Sequence, residues 1–296
     1  MFVMFDKPLF DSHCHIQFQG FKDDRESVLI RCAEKNVVMN VVGTQKDTSK
    51  KAVEFAEKYK NIYATIGLHP IHLFPTRVDE EESSFVSREE DFKEEYYSEL
   101  VKSEKVIAIG ECGIDLYHIP KDKNKAEVLE RQRKVFLQQV AFANRYDLPL
   151  VIHVRDAHDE LLDILKSNPP IGGRSSKSGV VHCYTSNWTN ARRYLDFGFY
   201  LGFTGVVTFP PKKTDPQPQE DLLEVIKKCP LDRMLVETDA PYLAPQAYRG
   251  ERCEPWMVEE VVKKIAEVKQ ADIAQVLRQI NKNTQALFTK IYLKLN

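Results

Sequence analysis

The chain has 296 residues, 43% hydrophobic and 29% charged, with a formal net charge of −2. That composition is ordinary for a soluble globular protein, and no apolar run approaches the roughly 18 residues of a membrane-spanning helix. The near-neutral balance, without a basic arm or tail, excludes a protein that grips duplex nucleic acid by broad phosphate neutralisation, so any such contact must be local.

Short β-branched runs bounded by turn residues recur along the chain. In order they are Pro8 to His13, Val37 to Gly43, Ile62 to Gly67, Val106 to Glu111, Leu148 to His153, Val180 to His182, Phe199 to Phe203 and Met234 to Asp239. Their starts lie on average about 32 residues apart, the length of a strand plus a crossover helix. Segments between them carry helical periodicity, as in Val53, Ala56, Tyr59 and in Leu222, Val225, Ile226, Cys229. Near-continuous apolar strands alternating with helices predict a parallel sheet covered by helices. Eight such units predict a (β/α)8 TIM barrel in a single domain over 1–296. A doubly wound open sheet is the alternative, and no Gly-x-Gly-x-x-Gly turn supports it.

Three stretches break this rhythm. Thr76 to Tyr97 is acidic and reads as a solvated insertion with a short helix. Ile171 to Gly179 reads as a flexible helix-to-strand turn on the face away from chemistry, and Pro210 to Pro218 as a loop over the active face. The start, Met1 to Asp6, lacks a basic n-region, so a cytoplasmic location is expected, or a nuclear one in a eukaryotic cell. The six cysteines, at 14, 32, 112, 183, 229 and 253, include no Cys-x-x-Cys pair, which excludes a zinc ribbon and argues against a disulfide framework. Cys14, Cys112 and Cys183 lie beside candidate ligands at odd parity and read as small, buried, reduced residues.

The chemistry concentrates at the ends of the apolar runs. His13 and His15 are two apart in an extended segment, so both imidazoles share a face and can reach one metal ion, with Asp11 of the same parity behind them. Glu111, His153, His182 and Asp239 each close a further apolar run. A buried strand has little use for an unpaired ionisable residue, whose desolvation costs several kcal/mol. Carboxyl ends of barrel strands form the catalytic face. Four histidines and two carboxylates exceed one tetrahedral ion and suit two divalent ions, with Glu111 placed as a bridge in strand order.

Read together, the motifs Phe10-Asp-Ser-His-Cys-His15, Gly67-Leu-His-Pro70, Gly110-Glu-Cys-Gly-Ile-Asp115, Leu148-Pro-Leu-Val-Ile-His-Val-Arg-Asp156, Val181-His-Cys-Tyr184, Gly205-Val-Val-Thr-Phe209, Glu237-Thr-Asp-Ala-Pro-Tyr-Leu243 and Arg249-Gly-Glu-Arg-Cys-Glu-Pro255 resemble the TatD-type metal-dependent deoxyribonucleases. The resemblance covers almost the whole chain in order. It implies a barrel, a two-ion centre and phosphodiester hydrolysis, typically exonucleolytic degradation of DNA, single-stranded or at 3′ ends. Departures are Cys112, Tyr184 and Cys253, and an acidic Thr76–Tyr97 stretch that looks longer than usual. None touches a proposed ligand.

The resemblance makes His69 a substrate-phosphate or ligand-supporting contact. Arg155, Arg249 and Arg252 are further candidate phosphate contacts. Glu237, of Asp239's parity, is expected to point inward onto a hydrogen-bond donor, while His72, His118 and His158 read as surface histidines. The expected mechanism has two ions acidifying a water whose proton Asp239 accepts, with Glu111 shared between the ions. Imidazole-rich ligands favour Zn, Mn, Fe or Ni, whereas the resemblance points to Mg. The same centre could attack a carbonyl, as a deacylase of D-aminoacyl-tRNA or an amidohydrolase, and a non-catalytic metal scaffold is a third reading. No membrane partner is expected, and a monomer is consistent with the sequence.

Overall fold

The computed structural model describes residues 8–77, 86–87, 89–168 and 179–291. Eight strands, β1 (Leu9–Cys14), β2 (Val37–Val42), β3 (Ile62–Ile66), β4 (Val106–Asp115), β5 (Leu150–Arg155), β6 (Gly179–Val181), β7 (Tyr200–Phe203) and β8 (Met234–Val236), form one sheet whose strand order is the chain order. Helices α1 (Arg25–Glu34), α2 (Lys46–Lys58), α3 (Glu94–Leu100), α4 (Lys125–Tyr146), α5 (His158–Ser167), α6 (Trp188–Asp196), α7 (Gln217–Lys228), α8 (Val258–Lys269) and α9 (Ile273–Leu287) fall between and after them. Parallel strands in unbroken chain order with alternating helices make the (β/α)8 barrel; a doubly wound sheet would reverse its order at a switch point. Among the described residues no helix is long and apolar enough to cross a membrane.

Contacts divide the chain into two compact units. The first takes the chain up to Ile16, then Phe21–Asn40, and everything from Cys183 onward. Here β7 and β8 run parallel with Leu201 beside Met234 and Phe203 beside Val236. The chain after β8 is fastened to β1: Thr238 N donates to Asp11 Oδ1 at 2.9 Å and Asp239 N to His13 O at 2.8 Å. Phe10 of β1 meets Phe288 after α9 with ring centroids 6.2 Å apart, and both are fully buried. On α7, Leu222, Val225 and Ile226 are buried as the periodicity predicts.

The second unit takes Gln17–Gly20 and Val41–His182. Helix α4 starts where the Asn124 side chain accepts from Glu127 N, and ends at Asp147 in the left-handed region with φ 52°. Its buried face carries two glutamines seven residues apart. The Gln132 side chain accepts from Asp115 N and donates to Asp115 O, and Gln139 does the same to Leu68. One helix thereby anchors the turns that follow β3 and β4. On β4, Gly113, with φ +147°, faces His153 of β5, and a Cβ there would collide with the His153 carbonyl.

Strand β4 runs four residues past its expected end at Glu111, through a register shift between Ile109 and Cys112, and stops at Asp115. The loop expected to reach Pro218 ends at Pro216, because α7 starts at Gln217 with proline in its first turn. The acidic stretch is only partly solvated. Thr76–Arg77 pairs antiparallel with Val86–Ser87, and Phe92 and Tyr97 are buried, stacked at 4.5 Å, with Tyr97 Oη donating to Gly67 O at 3.0 Å. The remainder of that stretch, 78–85 and 88, lies outside the described residues, as do 171–178 of the expected turn and 1–7 of the start.

Candidate metal centre

Each unit holds its own cluster of ligand-type side chains at the carboxyl ends of its strands. In the first unit His13 lies near the end of β1 and His15 just beyond it. Their Nε2 atoms are 3.2 Å apart, and Asp239 Oδ1 lies 3.6 Å from the former and 3.3 Å from the latter. Asp239 comes three residues after β8, in the left-handed region with φ 59°. Asp is among the few residues that tolerate this backbone. It aims the carboxylate back at the histidines, while His15 N donates to Ala240 O at 2.7 Å and locks the turn.

Two buried acids brace this cluster. Asp11, expected behind the ligands of β1, accepts from His13 N at 3.2 Å and from the Thr238 hydroxyl at 2.5 Å. Burial outweighs these hydrogen bonds and lifts its pKa to about 8. Glu237 points inward as its parity predicts. It accepts from Cys183 N at 2.5 Å and from the Ser12 hydroxyl at 3.2 Å, in the space above Gly202 that a Cβ would fill.

In the second unit Glu111, on β4, is the hub. Its Oε1 lies 3.2 Å from His153 Nδ1, 3.7 Å from His182 Nε2 and 3.4 Å from His69 Nε2, with all four side chains largely buried. Glu111 N donates to Gly43 O at 3.0 Å and His182 N to Ile152 O at 2.9 Å, which fixes both backbones. His69 caps the single 3-10 turn Pro70–Leu73, its Nδ1 accepting from Ile71 N at 3.2 Å. Burial and the neighbouring His153 push its pKa down to about 4, so the ring is neutral. With Nδ1 accepting, the proton sits on Nε2 and points at Glu111. In that tautomer His69 is a donor to the cluster, its one acceptor lone pair, on Nδ1, being engaged by Ile71 N.

Sequence reading missed Asp115. Its Oδ2 is 2.9 Å from His153 Nε2 and 2.9 Å from His118 Nδ1, and its Oδ1 accepts from the backbone of Tyr117 and His118. Burial alone would raise its pKa, but hydrogen bonds from His118 and His153 hold it well below the usual carboxylate range. For His153, burial opposes the charged ring, yet Asp115 and Glu111 together lift its pKa to about 9. The signal was available: Asp115 has the parity of Glu111 and follows a resumed apolar run.

The remaining expected residues are placed as follows. Arg155 ends β5, exposed, its guanidinium carbon 3.8 Å from the Tyr117 ring centre. Arg249 is exposed, 4.4 Å from the Phe209 ring centre. Arg252 is spoken for, making a paired bond to Asp24 at 2.9 and 2.6 Å over Phe21. His72, expected at the surface, is fully buried behind His69, because the 3-10 turn tucks it inward. His118, also expected as a plain surface residue, is half exposed but bonded to Asp115. His158 begins α5. None of the six cysteines forms a disulfide; five are buried, and Cys183 is half-buried with its sulfur 3.5 Å from the Thr204 hydroxyl.

The donor set fits divalent cations. In the second unit ligand atoms of Glu111, His153 and His69 lie within 4.8 Å of one another, with His182 Nε2 3.7 Å from Glu111; in the first, His13, His15 and Asp239 lie 3.2 to 3.6 Å apart. Imidazole nitrogens and carboxylate oxygens at these separations are the ligands of Zn, Mn and related ions.

Comparison with known proteins agrees over nearly the full chain. The family model described as TatD related DNase matches residues 10–289. A Bacillus subtilis protein named uncharacterized metal-dependent hydrolase YabD is 37% identical over 95% of this chain and 98% of its own length. The crystal structure of YJJV, a TatD homologue from Escherichia coli, superposes with a TM-score of 0.77 at 29% identity, covering 95% of this chain and 98% of that one. A TatD family hydrolase from Entamoeba histolytica shares the fold at 21% identity and a TM-score of 0.73, over 96% and 99% of the two chains. The chain belongs to the TatD related DNase family, a family of metal-dependent hydrolases.

Proposed function

We propose that this chain is a metal-dependent deoxyribonuclease, an exonuclease acting on single-stranded DNA or 3′ ends with two divalent ions, one per cluster. The observation that carries the reading is the second cluster, where His153, His182 and His69 all face Glu111. The ions would supply Lewis acidity and bring a water toward ionisation at neutral pH. Asp239, turned back toward His13 and His15, is the acceptor for that water's proton. His69 Nε2–H is a neutral donor for an anionic phosphate oxygen, and exposed Arg249 remains a candidate phosphate contact. Glu237 and Asp11 keep the carboxyl end of β8 fastened to β1 and so hold Asp239 in place.

The test is chelation followed by add-back of Mg, Mn or Zn, with single-stranded DNA and D-aminoacyl-tRNA assayed side by side. DNA cleavage should vanish on stripping and return with a divalent ion. Full activity in protein shown metal-free by elemental analysis would overturn the mechanism. Metal-dependent deacylation without DNA cleavage would overturn the substrate.

A further inference from the structure

Beside the second cluster lies an exposed tyrosine–arginine pair that the reading above does not use. Tyr117 is 57% exposed. The other large exposed hydrophobics among the described residues, Ile30, Tyr146 and Phe197, lie on helices or at a helix end. Tyr117 instead follows β4 directly, two residues after Asp115. Its position is fixed: Tyr117 N and His118 N both donate to Asp115 Oδ1, at 3.0 and 2.8 Å, and Leu116 N donates to Arg155 O at 2.9 Å. Asp115 and Arg155 are register partners, so the two strand ends present Tyr117 and Arg155 together. The guanidinium carbon sits 3.8 Å from the ring centre, close for such a pair.

The charge of Arg155 needs an explanation. Arg31, Arg131 and Arg252 each meet a carboxylate, whereas Arg155, like Arg192, Arg249 and Arg278, has none within ion-pair distance among the described residues; Arg155 alone of these four stands two residues from a proposed metal ligand. It shares a strand face with His153, about 6.6 Å further along β5. A fixed positive charge beside ligands for divalent cations is repulsive unless an anion comes between them. A phosphate meets that requirement. An exposed aromatic face backed by a guanidinium is also the combination on which unpaired bases stack.

We propose that Tyr117 and Arg155 form a nucleotide subsite for single-stranded DNA, the base stacking on the Tyr117–Arg155 platform and the guanidinium donating to the adjoining phosphate. The subsite directs the strand toward Glu111, His153 and His182. This inference rests on the phosphodiester reading above, and its test separates the two.

Protein loaded with Mg is titrated into fluorescein-labelled oligonucleotides with cleavage-resistant phosphorothioate linkages, one normal and one of abasic units. Wild type should bind the normal strand about tenfold more tightly, the loss expected for one stacked base. Tyr117→Ala should lose most of that preference and Tyr117→Phe should keep it, because the ring and not the hydroxyl stacks. Arg155→Ala should weaken binding to both strands and flatten its dependence on salt. Absence of base preference in wild type, or its survival in Tyr117→Ala, overturns the subsite. Cleavage of an unmodified oligonucleotide and of bis(p-nitrophenyl) phosphate is measured on the same samples. Base-dependent binding without cleavage of either leaves the subsite standing and overturns the phosphodiester reading; cleavage without base preference overturns the subsite alone.

Discussion

In the first unit two imidazoles gather around one carboxylate, Asp239, while in the second Glu111 faces three imidazoles and one of them, His153, is gripped by a second carboxylate, Asp115. The contrast is one of charge compensation. The second cluster is rich in negative charge and buried, and it keeps a proton on His153, whose pKa rises to about 9 despite burial. The first cluster invests its hydrogen bonds in backbone: Asp11, Thr238 and the Asp239 amide fasten the strand ends, and the rings are aimed by the chain that carries them. A cation entering the second site must displace a proton. A cation entering the first meets ligands held by backbone geometry.

The largest effect should come from the carboxylate of the first cluster. Asp239→Asn keeps size and one ligating oxygen but cannot accept a proton, so cleavage should fall about 10²–10⁴-fold. Melting temperature and at least part of the metal content should be preserved. Single-turnover cleavage at saturating metal, with melting and metal analysis on the same samples, decides it. Rates within a few-fold of wild type would move the proton acceptor elsewhere, and His69 would be examined next.

In the second cluster Glu111→Gln should lower both rate and metal stoichiometry, because it removes the charge on which His153 and His182 converge. Native mass spectrometry or elemental analysis would count the ions. Loss of one ion supports one ion per cluster. Loss of both would make Glu111 a shared ligand, and retention of both with near-normal turnover would remove it from the site.

The smallest effect concerns protons. Below its raised pKa of about 9, His153 carries a proton that ion uptake must expel. Metal affinity of this cluster should therefore weaken as pH falls from 9 to 6 and strengthen as it rises. Titration calorimetry in two buffers of different ionisation enthalpy should register release of about one proton near pH 7. Asp115→Asn removes a partner that supports the charged ring, lowers the His153 pKa and should flatten the dependence, with about 10–100-fold weaker metal binding from lost orientation. An unchanged slope would break the contrast between the clusters.

Sequence periodicity revealed the barrel because each strand is a short apolar run and each helix a stripe, both local patterns. The six proposed ligands were legible for a related reason, since an ionisable residue closing an apolar run stands out against its neighbours. Asp115 did not, because Glu111 already marked the end of its run; only the register shift after Ile109 lets β4 continue past it. His72 is buried by a tertiary fold-back that its loop-like neighbours conceal. The Arg252–Asp24 pair joins residues 228 positions apart, and no local pattern signals which arginine on a loop will be neutralised. The Thr76–Tyr97 stretch misled in the other direction, its acidic composition masking the buried Phe92 and Tyr97 near its end.

Gln132 and Gln139 set limits on how this protein can vary. Each amide takes one backbone N–H and gives one N–H to the same residue's carbonyl, at Asp115 and at Leu68. Asparagine is one carbon too short for that reach, glutamate has no donor, and methionine leaves a buried N–H and carbonyl stranded. The apolar neighbours Val135, Phe136 and Val140 face no such requirement and can be exchanged for residues of similar volume. A library that randomises the inner face of α4 would therefore return diversity at the apolar positions and the parental amide at these two, since they join the helix to the turns beside His69 and His153.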